Sequence, residues 1–171
     1  MIIEAIEPAS YDDAIEGLGA LLVDAVDGGA SVNFLAGATQ AEACAWWAAR
    51  RNGVADGAIT VFVARDGERI VGSTLLERSR NPNSPHRAEI GKVIVHRSAR
   101  RQGLGRALMA AAEERARSEG RWMLILDTVT GSPAAALYES LGWQTVGTIP
   151  DYALDTSGEP EAATYYYKDL R

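Results

Sequence analysis

The 171 residues, 47% hydrophobic and 23% charged, carry enough apolar side chain to bury one core and too much to stay a solvated polymer. With 23 acidic against 17 basic residues the net charge is −6, which excludes a general nucleic-acid binder, whose surface carries a basic excess. The one cysteine, Cys44, excludes an intramolecular disulfide, and His86 and His96 are too few and too isolated for a metal centre.

The opening MIIEAIEP alternates as a strand and closes at Pro8. It has neither the basic start nor the long apolar stretch of a signal peptide, and no later run is long enough to span a bilayer. The expectation is a soluble, cytoplasmic protein that meets no membrane. Ser10, Asp12 and Asp13 start a helix whose apolar positions Ile15, Leu18, Leu21, Leu22 and Val26 share one face, and Gly28-Gly29 ends it. Thr39 with Glu42 forms a capping box for the next helix, which carries Trp46 and Trp47 and ends near Asn52-Gly53. Adjacent tryptophans cannot share a helix face, so one belongs to the core and the other is free to line a pocket.

Strands follow. AITVFVAR and RIVGSTLLER flank the hairpin turn Asp66-Gly67-Glu68, SRNPNSPH is a polar loop, and RAEIGKVIVH is a strand with a doubly buried end. After a glycine-rich turn comes a helix with Leu104, Leu108 and Ala112 on its core face. RWMLILDTVT is a second buried strand, and Ser132-Pro133 opens a short helix. The strand WQTVGTIP, the loop DYALDTSGEPE and the strand ATYYYKDL complete the chain. No repeat or linker divides it, so residues 1–171 read as a single domain. The order predicts an α/β fold whose mixed sheet is antiparallel early and parallel where VIVH, a helix and LILD form a crossover.

The strongest local concentration of positive charge in this acidic chain is VIVHRSARRQGLGRALM. A helix start presents unpaired N–H groups and partial positive charge, glycine lets backbone approach an anion, and Arg100, Arg101 and Arg106, with Arg97 as a further candidate, add charge. A pyrophosphate fits that description. Glycines between strand and helix are also ordinary turn punctuation, and the pattern is neither a Walker loop nor the dinucleotide fingerprint, where Leu108 stands in place of the third glycine.

The segment resembles the acetyl-CoA-binding motif of the GNAT N-acetyltransferases, with Arg100, Gly103 and Gly105 on its core positions; Arg97 and Arg101 replace its common Pro and Gly. Downstream, SPAAALYESLGW is similar to that family's second motif, matching in kind at Ala135, Leu137, Tyr138, Gly142 and Trp143, with Ser132 in place of Asn. From about Leu18 onward, DGGASVNF, HRAEIGKVIVHRSARRQGLGRALM and LILDTVTGSPAAALYESLGW resemble the tabtoxin-resistance type.

The resemblance implies a mixed sheet of about seven strands with about four helices, and acetyl-CoA as cosubstrate. It implies cofactor contacts from Val93, Ile94 and Val95, from Arg100, Arg101, Gln102, Gly103, Leu104, Gly105 and Arg106, and from Ser132 and Tyr138. Acetyl transfer needs a held thioester, a polarised carbonyl, a deprotonated amine and a protonated leaving thiolate. Tyr138 matches the family's general acid. By analogy with the tabtoxin-resistance type, Glu89 and Asp127 face the acceptor, and Asn33 and Phe34 lie over it.

The function implied is N-acetylation of a small-molecule amine, amino-acid-like or antibiotic-like, in resistance or detoxification, by a monomer or homodimer. Two alternatives stand beside it: acetylation of proteins or peptides, and a non-catalytic acyl-CoA-binding regulatory module. Arg87, next to Glu89, is a lesser candidate for an acceptor carboxylate, and packing is the better reading for most of Tyr152, Tyr165, Tyr166 and Tyr167.

Overall fold

The computed structural model describes residues 1–171. Strands β1 (Ile2–Ala5), β2 (Ile59–Asp66), β3 (Arg69–Arg78), β4 (Arg87–Val95), β5 (Met123–Val129), β6 (Gln144–Leu154) and β7 (Pro160–Asp169) form one sheet in the order β1-β2-β3-β4-β5-β7-β6. All neighbours are antiparallel except β4 and β5. Helices α1 (Tyr11–Asp27), α2 (Gln40–Ala48) and α3 (Arg51–Ala55) cover one face, and α4 (Leu104–Ser118) and α5 (Pro133–Ser140) the other. The mixed sheet and its element order follow the sequence reading, with α3 as an additional helix.

Local signals account for the boundaries. In α1, Asp12 and Asp13 oppose the helix dipole while Leu18, Leu21 and Leu22 are fully buried. Both halves of the capping box form: Glu42 N–H donates to Thr39 Oγ1 at 3.2 Å, and Thr39 N–H to Glu42 Oε2 at 2.8 Å. The expected stop at Asn52-Gly53 is corrected, because α2 ends at Ala48 and the dipeptide lies inside α3. Gly53 serves close packing there, since a Cβ would stand 2.7 Å from Ile59 Cδ1.

Trp47 is the fully buried member of the tryptophan pair, with Nε1 donating to Leu18 O at 3.2 Å and its own carbonyl accepting from Tyr11 O–H at 2.9 Å. Trp47→Ala is therefore expected to cost about 3–5 kcal/mol, through a large cavity and the loss of the indole N–H donor to the Leu18 carbonyl. Thermal unfolding should register this as a fall on the order of 10 °C in Tm, and a shift under 3 °C or so would contradict it.

A second correction concerns the end of the chain. Asp151–Leu154, expected in a loop, continue β6 past Pro150. Pro150 lies on the outermost strand, where a missing N–H costs no ladder bond, and a bulge between Ile149 and Ala153 absorbs Asp151 at φ 51°.

Two features of β4 position the site. Pairing with β5 stops at Glu89↔Ile125 although both strands run on, so they part from Ile90 and Leu126 onward. On its other edge β4 bulges, since Ser73 pairs Ile94 while Leu75 pairs Gly91, and Lys92 takes φ 51°. Before the bulge Ala88 and Ile90 point to the α4–α5 side; after it Val93 and Val95 do. The extra residue thus switches the alternation and sends Lys92 to a face it would otherwise not share with Glu89.

Candidate active site

On one side of the parted strands lies the glycine turn. Gly103, at φ 79°, is the N-cap of α4 and no side chain caps the helix, so the first N–H groups of Leu104, Gly105 and Arg106 remain available. Arg101 also adopts a left-handed φ of 62°, and Arg100, Arg101 and Gln102 are exposed around this helix start. Arg100 is drawn back along β4, its Nε donating to Val95 O at 3.1 Å. Available amides, a left-handed glycine and surface guanidinium groups suit a diphosphate.

The structure redistributes some roles among the expected residues. Arg97 gives its charge to Asp24 of α1: its Nε lies 2.9 Å from Oδ1 and its N–H 3.0 Å from Oδ2. Burial would raise the Asp24 pKa, but these bonds and the His96 and Arg97 charges overcome it and hold the carboxyl below its usual range. Arg106 bonds Ser140 Oγ at 3.0 Å, tying α4 to α5. Gly105 permits that approach, since a Cβ would press Leu137 Cδ2 at 3.1 Å. Ser132 caps α5 by accepting from Ala135 N–H at 3.2 Å, with Thr128 Oγ1 3.3 Å away. Gly103→Ala is expected to strain the turn by about 1–2 kcal/mol and to weaken acetyl-CoA binding about tenfold. Titration calorimetry checks this, and an unchanged Kd would remove the turn from the cofactor site.

Tyr138 of α5 packs beside Trp143 and Tyr166, with ring centroids 6.2 Å from each. Its ring is buried, yet its hydroxyl makes no hydrogen bond to the protein. Burial, helped by the Asp127 charge, pushes its pKa well up, so the hydroxyl keeps its proton. That charge is felt across the gap between β4 and β5, so the gap joins the two faces of the sheet electrostatically.

On the opposite face, Glu89 of β4 and Asp127 of β5 project from the α4–α5 side's reverse, in alternation with buried Ala88, Ile90, Leu124 and Leu126. Both are open to solvent at the mouth of the cleft and neither enters an ion pair. Desolvation in the cleft, then repulsion from Asp127 and Glu77, raises Glu89; desolvation raises Asp127 against the opposing pull of Lys92. Carboxylates held above their ordinary range and left without partners are suited to accept a proton.

Asn33, at φ 75° in the loop between α1 and α2, accepts a hydrogen bond from Lys92 Nζ. Ala36 N–H donates to Thr156 O at 2.8 Å, so this loop crosses from β4 to the β6–β7 turn above the cleft. Phe34 packs into the α1–α2 core beneath it. Trp46, the other tryptophan of the pair, is half-buried against the same core, its ring edge-on to Trp47.

Sequence reasoning missed three groups here. Lys92 lies 4.5 Å from the Trp46 ring centroid, the Arg50 guanidinium 3.0 Å from the same ring, and Tyr165, opposite Asp127 in register, donates to Tyr152 Oη at 2.6 Å. The Tyr152 bond is the main cause that pushes the Tyr165 pKa up, with Asp127 and Glu89 adding to it. For Lys92 the unbroken apolar run VIV that follows hides the change of parity, which shows only in the strand pairing. Nothing local marked Arg50 or Tyr165.

The family model described as the Acetyltransferase (GNAT) family matches residues 33–143. Among solved structures, an N-acetyltransferase from Staphylococcus aureus Mu50 superposes with a TM-score of 0.79 at 18% identity, covering 99% of this chain and 98% of its own. A GNAT superfamily phosphinothricin acetyltransferase from Sinorhizobium meliloti, in complex with AcCoA, gives 0.79 at 18% identity over 99% and 89%. A ribosomal-protein-alanine N-acetyltransferase from Brucella melitensis gives 0.75 at 26% identity over 99% and 100%.

Proposed function

The chain belongs to the GNAT acetyltransferase family, and from that premise we propose that it transfers the acetyl group of acetyl-CoA to the amine of a small molecule. One observation carries this reading: Glu89 and Asp127, two unpaired carboxylates, open onto the same parting of the sheet as the free hydroxyl of Tyr138. The loop that crosses the cleft favours a compact acceptor over a protein surface.

Bound acetyl-CoA supplies a thioester, an acyl group activated toward an amine nucleophile. The α4 amides of Leu104, Gly105 and Arg106 and the side chains of Arg100, Arg101 and Gln102 hold its diphosphate. Where β4 leaves β5, the strand carries Val93, Ile94 and Val95, and the edge there turns the backbone N–H groups of Val93 and Val95 toward the acyl arm while Ile94 pairs with Ser73 of β3; a fixed N–H opposes oxygen charge without reorganising. Ser132 steadies the α5 start beside that arm. Asn33 and Phe34 close the acceptor side.

Glu89, assisted by Asp127, takes the proton of the incoming ammonium, which frees the nitrogen lone pair. As nitrogen bonds to the acyl carbon and the carbon–sulfur bond breaks, Tyr138 gives its proton to the departing sulfur and recovers one from solvent. The test is thiol release from acetyl-CoA with a panel of small amines and lysine peptides. Amine-dependent release with small amines is expected; release with peptides alone, or with no amine, would sink the proposal.

A further inference from the structure

Among the buried residues of this protein, Asp24 of α1 is the one that carries a charge. A desolvated carboxylate is costly unless it is bonded, and every partner of Asp24 comes from one short segment 73 positions along the chain. Arg97 N–H donates to Oδ2 at 3.0 Å, Arg97 Nε donates to Oδ1 at 2.9 Å, and His96 Nε2 lies 3.3 Å from Oδ1. Leu21, Leu22 and Ala25 bury the same stretch of α1 in the core, so the carboxylate is mounted on a fixed element. The end of the helix is shaped to the contact as well. Gly28 is its C-cap, and a Cβ there would stand 3.3 Å from Arg97 Cδ.

His96 and Arg97 form the joint between β4 and the glycine turn. His96 N–H still bonds Val71 O of β3 at 2.9 Å, and from Arg97 onward the chain has left the sheet. His96 Nδ1 accepts from Ser98 N–H at 3.1 Å and so starts a single 3₁₀ turn, Arg97–Ala99. Between His96 and Leu104 only Ala99 is buried, against the α4–α5 core. Arg100, Arg101, Gln102 and Gly103 are all exposed. The turn is therefore pinned at two points on opposite sides of the sheet, by the Ala99 methyl and by Asp24.

By charge alone, a carboxylate this near a diphosphate site opposes binding, and it occupies a guanidinium that would favour it. What Asp24 supplies is geometry, because it grips the backbone and the side chain of one residue together. We propose that Asp24 is a positioning residue for the cofactor: through Arg97 it fixes the entry of the glycine turn and presents the α4 amides to the diphosphate in a geometry set before binding. The inference rests on the diphosphate reading of that turn. A loop ordered in advance loses less entropy when the ligand arrives, so the tie strengthens binding without touching the ligand.

Asp24→Asn removes the charge and one acceptor oxygen at nearly constant volume. Calorimetry should give a Kd for CoA about tenfold weaker than wild type, the loss of a charge-assisted bond. Pantetheine has the thiol arm and no diphosphate, and its affinity, measured by competition, should stay within about twofold. An unchanged Kd for CoA, or a loss shared equally by CoA and pantetheine, would overturn the proposal. Tighter CoA binding would overturn it too, since the carboxylate would then act by repulsion alone.

Amide hydrogen exchange on the free protein reads the positioning directly. In Asp24→Asn the amides of residues 97–103 should exchange about tenfold faster, with those in the middle of α1 and α4 unmoved. Equal acceleration throughout α1 would make Asp24 a support of the helix and count against the proposal. Arg97→Gln alters an exposed side chain and keeps the backbone bond to Asp24, so it tests the tie even if Asp24→Asn does not fold. It should weaken CoA and speed exchange in the turn together. Weaker CoA with exchange unchanged would make Arg97 a direct phosphate ligand and sink the positioning role. None of these measurements uses an acceptor, so failure to acetylate any amine would sink only the proposed function. Wild-type protein that binds CoA no better than pantetheine would remove the diphosphate site, and this inference with it.

Discussion

Tyr138→Phe is expected to lower kcat by about a hundredfold to ten-thousandfold, the range that a well-placed general acid contributes. The same change should leave Tm and acetyl-CoA affinity almost untouched. The tyrosine ring supplies the packing against Trp143 and Tyr166, and phenylalanine keeps it. The hydroxyl has no partner within the protein, so removing it orphans nothing. A loss of activity with intact stability would therefore report on the proton alone. The decisive arm uses an activated aryl thioester, whose thiolate departs without needing a proton. If Tyr138 is the acid, this donor restores most of the variant's rate relative to wild type. An equal deficit with both donors would show that the hydroxyl acts otherwise, and a deficit under threefold or so would remove it from the chemistry.

Glu89→Gln should cost a further large factor, about a hundredfold or more in kcat/KM, because a neutral amide cannot take the ammonium proton. The pH dependence gives the prediction its sign. Glu89 and Asp127 have folded-state pKa values raised by desolvation, and Glu89 is raised further by Asp127 and Glu77. The rate must climb as pH rises through a value above the ordinary carboxylate range, since the base works only when deprotonated.

Asp127→Asn removes a charge that repels the Glu89 carboxylate, so the acid limb should move to lower pH while Glu89→Gln abolishes it. A limb unmoved by either substitution would exclude this pair as the base. A carboxyl with a raised folded pKa is a stability cost at neutral pH: folding binds its proton more tightly than unfolding does, and that advantage fades as pH rises past the unfolded value toward the folded one. Both neutral variants should accordingly melt no lower than wild type at pH 7, which separates lost chemistry from lost fold.

The three chemical groups differ in how visible they were along the chain. Tyr138 lies in SPAAALYESLGW, and the diphosphate turn lies in RRQGLGR, each complete within about a dozen residues. Glu89 and Asp127 could be assigned to strands, and their facing the acceptor came from resemblance rather than from spacing. Arg97, a further candidate for phosphate, also pairs with Asp24 of α1, a contact that no local pattern announces. The loop assigned to Asp151–Leu154 failed because Pro150 is tolerated on an edge strand, and edge position belongs to the sheet rather than to the segment.

By itself the sequence determined the order of elements, the crossover of β4, α4 and β5, both caps and the glycine turn at the start of α4, since these depend on side-chain periodicity and on residues close together in the chain. Only the tertiary structure decided where β4 leaves β5, how its bulge redirects Lys92, and which distant charges remain unpaired around Trp46. The physical reason is that Glu77 of β3, Glu89 and Lys92 of β4, Asp127 of β5 and Arg50 act on one another's charges across separate elements of the fold. Such coupling is set by distance in space, and no spacing along the chain encodes it.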